Sequence, residues 1–141
     1  MTEEAETKKP STVKDAYWIY AHRKKGDYPE ASHNPGKWLI FVAEKEVDEA
    51  WEKIRDATQE GKLGQASKVA TAKDNPLAGR STNKVICVYT YDWTNREDVM
   101  RIREELRKLG ITNKIPYKAD EDTLSGKYRI TGHTKISKYY E

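Results

Sequence analysis

Hydrophobic residues along the chain change their spacing in an order that occurs twice. Residues 37–72 hold a continuous apolar run, then apolar residues three and four positions apart, then a short alternating stretch. Residues 84–120 repeat that order. Continuous and alternating runs of this length are typical of β-strands, whereas the wider spacing is typical of one face of an α-helix. The pattern therefore predicts two strand–helix–strand units in tandem.

Helix-end signals bound the two predicted helices. Gly61 and Gly64 follow the first apolar stripe and favour the end of a helix there. In the second unit Thr94 and Glu97 have the spacing of a capping box with Thr94 as N-cap, and Gly110 is the expected C-terminal cap. The apolar stripes are Val47, Ala50, Trp51, Ile54 and Ala57 in the first helix, and Val99, Ile102, Leu106 and Leu109 in the second.

The two ends of the chain lie outside this repeat. Residues 1–12 are polar and charged, so we expect a disordered tail there and a single domain over 13–141. The aromatic cluster at 17–20 predicts either a short helix or an edge strand that docks on the domain. Pro116 places the strand at 115–119 at an edge or a bulge. Residues 136–140 form one of the weaker strand candidates of the tail.

The fold class follows from the two apolar stripes, because each helix needs a sheet face against which to bury its stripe. The prediction is a single α+β domain with both helices on one face of a curved, mixed or antiparallel sheet. A ferredoxin-like arrangement is its simplest version, and the additional segments at both ends favour a larger variant. The opposite face of the sheet would then be open to a ligand.

Composition narrows the class of protein without naming a function. The chain of 141 residues is only 36% hydrophobic, but its four Trp and nine Tyr supply large apolar groups for a core. A net charge of +3 is too small to indicate a nucleic-acid partner by itself. No apolar stretch approaches the ~18 residues of a membrane span, and the N-terminus lacks a signal-peptide core. We therefore expect a cytoplasmic protein with no membrane partner, whose single thiol, Cys87, is buried packing.

Basic residues on the predicted strands are the main candidates for a ligand site. Lys68 and Lys118 each lie in the middle of the second strand of a unit, and Lys37 begins the first strand. Because an unpaired lysine is costly to bury, lysines on one sheet face either point to water or hold an anion such as phosphate. We expect Lys37, Lys118, Tyr117 and Arg129 to bind phosphate around Lys68.

The remaining chemistry-bearing residues give weaker signals. His22, His33 and His133 fall in loops or at element ends without metal-ligand spacing, and His133 is the candidate proton donor. Trp18 and Trp93 are the tryptophans that could stack on a ligand, whereas the other two occupy core positions. The chain also lacks the nucleotide-binding glycine motifs and the GxSxG motif, so no metal and no cofactor are predicted.

Four segments of the chain together carry a resemblance to a known family. They are GKWLIFVA, GKLGQASKVAT, VICVYTYDW and IPYKADEDTLSGKY, and over roughly residues 36–130 they resemble the family typified by the basophilic leukaemia-expressed protein. The resemblance implies a fold similar to that of the cap-binding translation initiation factor, a curved sheet backed by helices. Some members of that family are labelled phosphothreonine lyases.

Such lyases remove phosphate by β-elimination, in which a lysine takes the α-proton and a histidine protonates the departing phosphate. On this chain the resemblance implies Lys68 as the base, with basic neighbours holding the anion. The lyases place a histidine two residues after a strand lysine, and the matching position after Lys37 is Leu39. The proton donor would then be His133, His22 or a tyrosine such as Tyr117.

Three functions therefore remain open at the level of sequence. The first is a phosphothreonine lyase-like enzyme, and the second is a non-catalytic module that binds a phosphorylated peptide, a nucleotide or an RNA end. A binder of this kind keeps the lysines and does not need the acid. The third is a protein-interaction domain, for which the open sheet face would carry exposed apolar surface instead of converging cations.

Overall fold

A computed structural model of the chain describes residues 8–73, 83–120 and 138–141, and in these residues six strands form one sheet. Two helices, α1 and α2, pack on one face of it. The strands are β1 (Trp18–His22), β2 (Gly36–Ala43), β3 (Ala66–Ala70), β4 (Asn83–Thr90), β5 (Pro116–Ala119) and β6 (Tyr139–Tyr140). The helices are α1 (Val47–Gln59) and α2 (Arg96–Lys108), with 3-10 turns at Pro10–Thr12 and Glu44–Glu46.

The two strand–helix–strand units interleave in the sheet, whose order is β1-β3-β4-β2-β5-β6. Strand β4 separates β2 from β3, and β2 separates β4 from β5. Because every neighbouring pair is antiparallel, the two strands of each unit run parallel to each other with one strand between them. This is the ferredoxin-like order, which β1 and β6 extend at its two edges.

The predicted α+β class is confirmed, with a curved sheet and both helices on one face. The sequence left a mixed and an antiparallel sheet open, and every pair of neighbouring strands in the described residues is antiparallel. Residues 18–20 of the aromatic cluster belong to an edge strand, β1, and not to a helix, and Tyr17 directly precedes the strand. Pro116 is the first residue of β5, where its missing N–H removes no ladder bond from the middle of the strand.

The core lies between the helices and the sheet. Val47, Trp51, Ile54 and Ala57 of α1 are buried, as are Val99, Ile102 and Leu106 of α2. Trp38 on β2 is fully buried among them, and its indole nitrogen donates a hydrogen bond of 3.1 Å to the carbonyl of Val99. Both predicted apolar stripes therefore face the sheet, and the predicted core positions of Trp38 and Trp51 are correct.

The N-terminal cap of α2 differs from the prediction by one residue. The side-chain oxygen of Asn95, not Thr94, accepts the backbone N–H of Asp98. Thr94 instead donates to the carboxylate of Asp92 through its hydroxyl. Asparagine is as good an N-cap as threonine, so the capping-box spacing to Glu97 was a false signal. Gly110 does follow the helix, with a φ of +100° that favours glycine.

The predicted N-terminal tail of residues 1–12 is described only from residue 8 onward. There Pro10–Thr12 form a 3-10 turn that contacts the start of α1, and Pro10 is buried. The backbone N–H of Ser11 donates to the carboxylate of Asp48 at 2.9 Å. Residues 1–7, 74–82 and 121–137 lie outside the described part of the chain.

Candidate functional site

The three strand lysines share the sheet face that neither helix covers, which we call the helix-free face. In β3, Lys68 alternates with Ser67 and Val69, which are fully buried toward the helices. Strand pairing then fixes the faces of its neighbours, because residues opposite each other in a sheet point to the same side. Lys68 pairs with Cys87 of β4, and Cys87 pairs with Leu39 of β2.

The other two lysines, Lys37 and Lys118, lie on the same face, level with Tyr89, which is two residues after Cys87 on β4. Lys37 is two residues before Leu39 on β2, so its side chain points to the same side. It pairs with Tyr89 of β4 on one flank and with Lys118 of β5 on the other. The predicted convergence of Lys37, Lys68 and Lys118 on one sheet face is therefore what the strand register gives.

Aromatic rings separate the ammonium groups of this face. The Nζ atom of Lys68 lies 4.0 Å from the ring centre of Trp18 and 5.8 Å from that of Tyr89. The Nζ atom of Lys37 lies 5.9 Å from the same Tyr89 ring. Cations at these distances are attracted to the negative faces of the rings. Lys37 and Lys68 thus approach one tyrosine from two neighbouring strands.

The two lysines differ in their ionic partners. Lys37 forms an ion pair of 2.8 Å with Asp120, the residue that follows β5, and its side chain is 13% exposed. Among the residues that the structure describes, no carboxylate lies within ion-pair distance of Lys68. Burial is the first cause that lowers the pKa of Lys68, and the positive charge of Lys37 lowers it further, while Cys87 and Asp120 act in the opposite direction.

Cys87 lies under these lysines and is 3% exposed. Burial raises the pKa of its thiol to about 11, although the positive charges of Lys68, Lys37 and Lys118 oppose that rise. The predicted role as buried packing agrees with this environment, because a thiol that keeps its proton at neutral pH is a poor nucleophile.

Tyr117 does not belong to this face, contrary to the expected phosphate-binding role. It is fully buried on the helix side, its ring contacts Trp38 edge to face at 5.2 Å, and its hydroxyl forms a hydrogen bond of 2.5 Å with that of Thr90. The reason is the two-residue period of a strand, which points Tyr117 and Lys118 to opposite sides. Tyr117 is therefore a core residue on the opposite side of the sheet from Lys118.

Two predicted site residues, His133 and Arg129, lie outside the described residues, so their roles stay predictions. Another histidine, His22, is the last residue of β1, at an element end as the sequence had indicated. His22 ends β1 and points to the same side as Tyr20, with their rings 6.3 Å apart and stacked. Tyr20 pairs directly with Lys68, so His22 lies on the helix-free face.

Sequence reasoning missed the contribution of β1 and β4 to this face. In the segment WIYAH, side chains that carry a polar group alternate with Ile19 and Ala21, which are buried. This alternation was the sequence signal that indicated a strand. Tyr89 gave no such signal, because the side on which it lies depends on how β4 pairs with β2 and β3. Of the two candidate stacking residues, Trp18 lies on the helix-free face, whereas Trp93 packs against the core.

No group of three metal-ligating side chains occurs in 8–73, 83–120 or 138–141. Over the same residues, neither helix is long and apolar enough to cross a membrane.

Comparison with known proteins adds a family to this geometry. Residues 29–123, about two thirds of the chain, match the family model described as Basophilic leukemia-expressed protein Bles03. The chain belongs to this family. The Bles03 match contains β2 to β5 and both helices, and so includes Lys37, Lys68 and Lys118. The resemblance noted from the four sequence segments is thereby confirmed.

A solved structure supports the fold of this family member. The chain is similar to schistosome eIF4E, crystallised in complex with m7GpppA and 4E-BP, with a TM-score of 0.58 and 17% sequence identity. The similarity covers 77% of this chain and 59% of the eIF4E chain, so this chain spans about three fifths of that protein. At this identity the likeness shows a cap-binding-like fold, as the sequence resemblance implied.

Proposed function

We propose that this chain binds a phosphorylated ligand on its helix-free face, with Lys37, Lys68 and Lys118 addressing the phosphate oxygens. The observation that carries the proposal is the convergence of these lysines from β2, β3 and β5 on one sheet face. Ammonium groups form short, strong hydrogen bonds with phosphate oxygens. The proposal is for a binding module and requires no proton donor.

The electrostatics of Lys68 favour an anion as the missing partner. A half-buried ammonium group loses part of its hydration, and that loss is normally offset by a carboxylate or by hydrogen-bond acceptors. Within the described residues, the ammonium group of Lys68 contacts the rings of Trp18 and Tyr89 and forms no ion pair. A phosphate beside Lys68 would supply the counter-charge, so we expect binding to raise the pKa of Lys68.

The similar eIF4E structure and the ring of Trp18 suggest the class of ligand. The eIF4E structure is a complex with m7GpppA, a nucleotide that carries phosphates. On this chain Trp18 lies within 4.0 Å of the Lys68 ammonium group, and a tryptophan face can stack on a nucleobase. We therefore propose a nucleotide or RNA end as the first ligand class to test, and a phosphorylated peptide as the second. The free thiol of Cys87 fits the proposed cytoplasmic location.

A catalytic version is the second candidate, and the lowered pKa of Lys68 is the observation that favours it. A lysine whose pKa is lowered gives up its own proton more readily, and in its neutral form it can take the α-proton of a phosphothreonine residue, after which the β-carbon–oxygen bond breaks and phosphate leaves. His22 lies on the helix-free face, and His133 remains a proposed alternative donor. Elimination would convert a phosphothreonine peptide into a dehydrobutyrine peptide and inorganic phosphate.

Isothermal titration of the chain with pyrophosphate and with ADP tests the binding proposal. We expect Lys68→Met and Lys37→Met each to weaken binding by about tenfold, the effect of one charge-assisted contact. Lys53→Met is the matched control, because Lys53 is an exposed lysine of α1 on the opposite side of the sheet. Equal affinities of all three variants and the parent chain would contradict the proposal.

The catalytic version is tested with the same variants and a phosphothreonine peptide. Mass spectrometry should show loss of phosphoric acid from the peptide in the presence of the parent chain and no conversion with Lys68→Met. If the peptide stays intact while pyrophosphate binds, the result supports the binding module and contradicts the lyase.

A further inference from the structure

Strand β1 forms one edge of the sheet, and no described strand pairs with its outer side. Its inner side pairs with β3 over the whole strand, from Trp18 opposite Ala70 to His22 opposite Ala66, and the register has no bulge. The strand at the other edge, β6, consists of Tyr139 and Tyr140 alone. Within the described residues, β1 is therefore the longer of the two edge strands.

The hydrogen bonds just beyond the two ends of β1 show which of its backbone groups face outward. The N–H of Thr71 donates to the carbonyl of Tyr17 at 3.1 Å, and the N–H of Arg23 donates to the carbonyl of Gln65 at 2.8 Å. In an antiparallel pair, hydrogen-bonded and non-hydrogen-bonded positions alternate along the strands. The odd-numbered residues of β1 thus bond to β3, and the even-numbered residues direct their N–H and C=O groups to the outer edge.

The outward backbone groups of Trp18 and Tyr20 make this edge suitable for an additional strand. Proteins commonly protect such an edge with a lysine, a proline or a bulge. The sequence of β1, WIYAH, contains neither lysine nor proline, and its pairing with β3 is regular. The side chains of Trp18 and Tyr20 are partly exposed on the helix-free face. A strand added here would gain backbone hydrogen bonds and aromatic contacts together.

We propose that β1 pairs with β1 of a second copy of this chain, antiparallel about a two-fold axis at Ile19. Trp18 then lies opposite the partner subunit's Tyr20, and Tyr20 lies opposite the partner subunit's Trp18. Both are hydrogen-bonded positions, so the outward groups of these residues form four N–H···O bonds between the copies. The two-fold axis repeats one Trp–Tyr pair on each side of Ile19, and aromatic pairs across antiparallel strands are favourable.

The charges next to β1 agree with an antiparallel second copy. The acidic residue Asp15 precedes the strand and is exposed, and the basic residues 23–25 follow it. The proposed register places Asp15 opposite the partner subunit's Arg23, whereas a parallel register would bring the basic residues of both copies together. Opposite charges across neighbouring strands stabilise a pair and like charges destabilise it.

The proposed dimer would join the helix-free faces of the two copies into one surface. Tyr20 pairs with Lys68 on β3, so the Lys68 residues of the two copies would lie three strand spacings apart, at a distance of about 15 Å. The contact uses backbone groups at the outer edge of β1 and none of the three lysines that we propose for phosphate. Dimerisation and phosphate binding are therefore separable, and either one can fail alone.

Sedimentation velocity of the full chain over a series of concentrations tests the dimer. We expect a reversible monomer–dimer equilibrium with a Kd of about 10–500 µM, because a single strand pair is a small interface. Tyr20→Pro removes an outward N–H but no bond to β3, so it should weaken dimerisation at least about tenfold relative to Tyr20→Ala, which keeps that N–H. Circular dichroism is the check that both variants are folded.

Amide hydrogen exchange of the parent chain, followed by NMR, tests the same edge without a substitution. The amides of Ile19 and Ala21 should be protected at every concentration, because they bond to β3, whereas those of Trp18 and Tyr20 should become protected only as the dimer forms. A chain that stays monomeric at about 1 mM would overturn the inference. So would a dimer in which the Trp18 and Tyr20 amides exchange as fast as in the monomer. Protection of these two amides at every concentration would also contradict it, since the same chain would then cover the edge.

Discussion

Arg103 and Lys68 are both basic side chains, the first fully buried and the second half-buried, and they lie on opposite sides of the sheet with different neighbours. Arg103, on α2, is fully buried, and its guanidinium group donates to the carbonyls of Glu141, Ile111 and Asn113 at 2.7–3.0 Å. The Nζ atom of Lys68 instead lies 4.0 Å from the ring centre of Trp18 and 5.8 Å from that of Tyr89. The core thus satisfies its one buried cation with acceptors, while the helix-free face leaves an ammonium group without any within the described residues.

This difference indicates that the two sides of the sheet have different roles, one structural and one in ligand binding. Buried polar groups in folded proteins are almost always hydrogen-bonded, and Arg103 follows that rule. Arg103 joins α2 to the segment after it and to the C-terminal residue, so its role is to hold the fold together. Lys68 contributes little of that kind, which is why we assign it to ligand chemistry.

The largest expected effect tests the structural half of this comparison. Arg103→Met leaves three carbonyls without their donor, at about 1 kcal/mol or more each, so we expect the free energy of unfolding to fall by about 3–5 kcal/mol. Urea unfolding measures it. Arg107→Met is the matched control, since Arg107 forms an exposed pair with Glu104 one turn away, and its loss should cost less than about 0.5 kcal/mol. Equal effects of the two variants would break the comparison.

The next effect concerns pH and the thiol beneath the lysines. The thiol of Cys87 has a pKa of about 11 in the folded chain and about 8.5 when unfolded. Between these values the unfolded chain loses the proton and the folded chain keeps it, so stability falls as the pH rises from about 8.5 to 11. The loss amounts to about 3 kcal/mol when complete, at about 1.4 kcal/mol for each unit of pKa difference.

Urea unfolding at pH 8 and pH 10.5, for the parent chain and Cys87→Ala, measures this contribution. The drop between the two pH values should be smaller in Cys87→Ala, because titrations of other groups occur in both proteins and cancel in the comparison. An identical drop in both proteins would show that Cys87 is not shielded from water.

A smaller effect compares one tyrosine from each side of the sheet. Burial raises the pKa of both Tyr117 and Tyr89, but the hydroxyl of Tyr117 is bonded to Thr90 in the core. Tyr117→Phe leaves the Thr90 hydroxyl unpaired, and we expect a loss of about 1–2 kcal/mol. Tyr89→Phe keeps the ring that faces the lysines and should change stability by less than about 0.5 kcal/mol. Thermal unfolding of both variants distinguishes these outcomes.

The smallest effect tests the charge balance of the helix-free face. Asp120→Asn removes the carboxylate that neutralises Lys37 and competes with a bound anion. We expect affinity for pyrophosphate to rise about threefold, because partly exposed ion pairs are worth only about 0.2–1 kcal/mol. The matched control is Asp56→Asn, an acidic residue of α1 on the far side of the sheet. A fall in affinity for Asp120→Asn would show that Asp120 supports the site instead of opposing the ligand.

The sequence was sufficient for the elements of the fold but not for all of the site. Apolar spacing gave both helices, the four strands of the repeat and the lysines Lys37, Lys68 and Lys118, because these depend on local periodicity. The period of two could also have excluded Tyr117, since a residue beside Lys118 in a strand must face the other way. That argument needs no structure, so the assignment of Tyr117 to the phosphate site was an avoidable error.

Other features depend on long-range pairing and could not be derived from one sequence. Tyr89 and Cys87 reach the helix-free face because β4 lies between β2 and β3, and the order of strands is set by packing of the whole sheet. The burial of Arg103 was hidden for a similar reason. Its acceptors, among them the carbonyl of Glu141, come from segments that meet α2 only after folding.

The most direct test of the central claim is a crystal structure of the chain grown with pyrophosphate. The account predicts pyrophosphate on the helix-free face, with oxygens within about 3 Å of the Nζ atoms of Lys37 and Lys68 and with the Lys68 ammonium group turned from the Trp18 ring toward the anion. Pyrophosphate absent from this face, with the Lys68 nitrogen still seated against Trp18, would contradict the account.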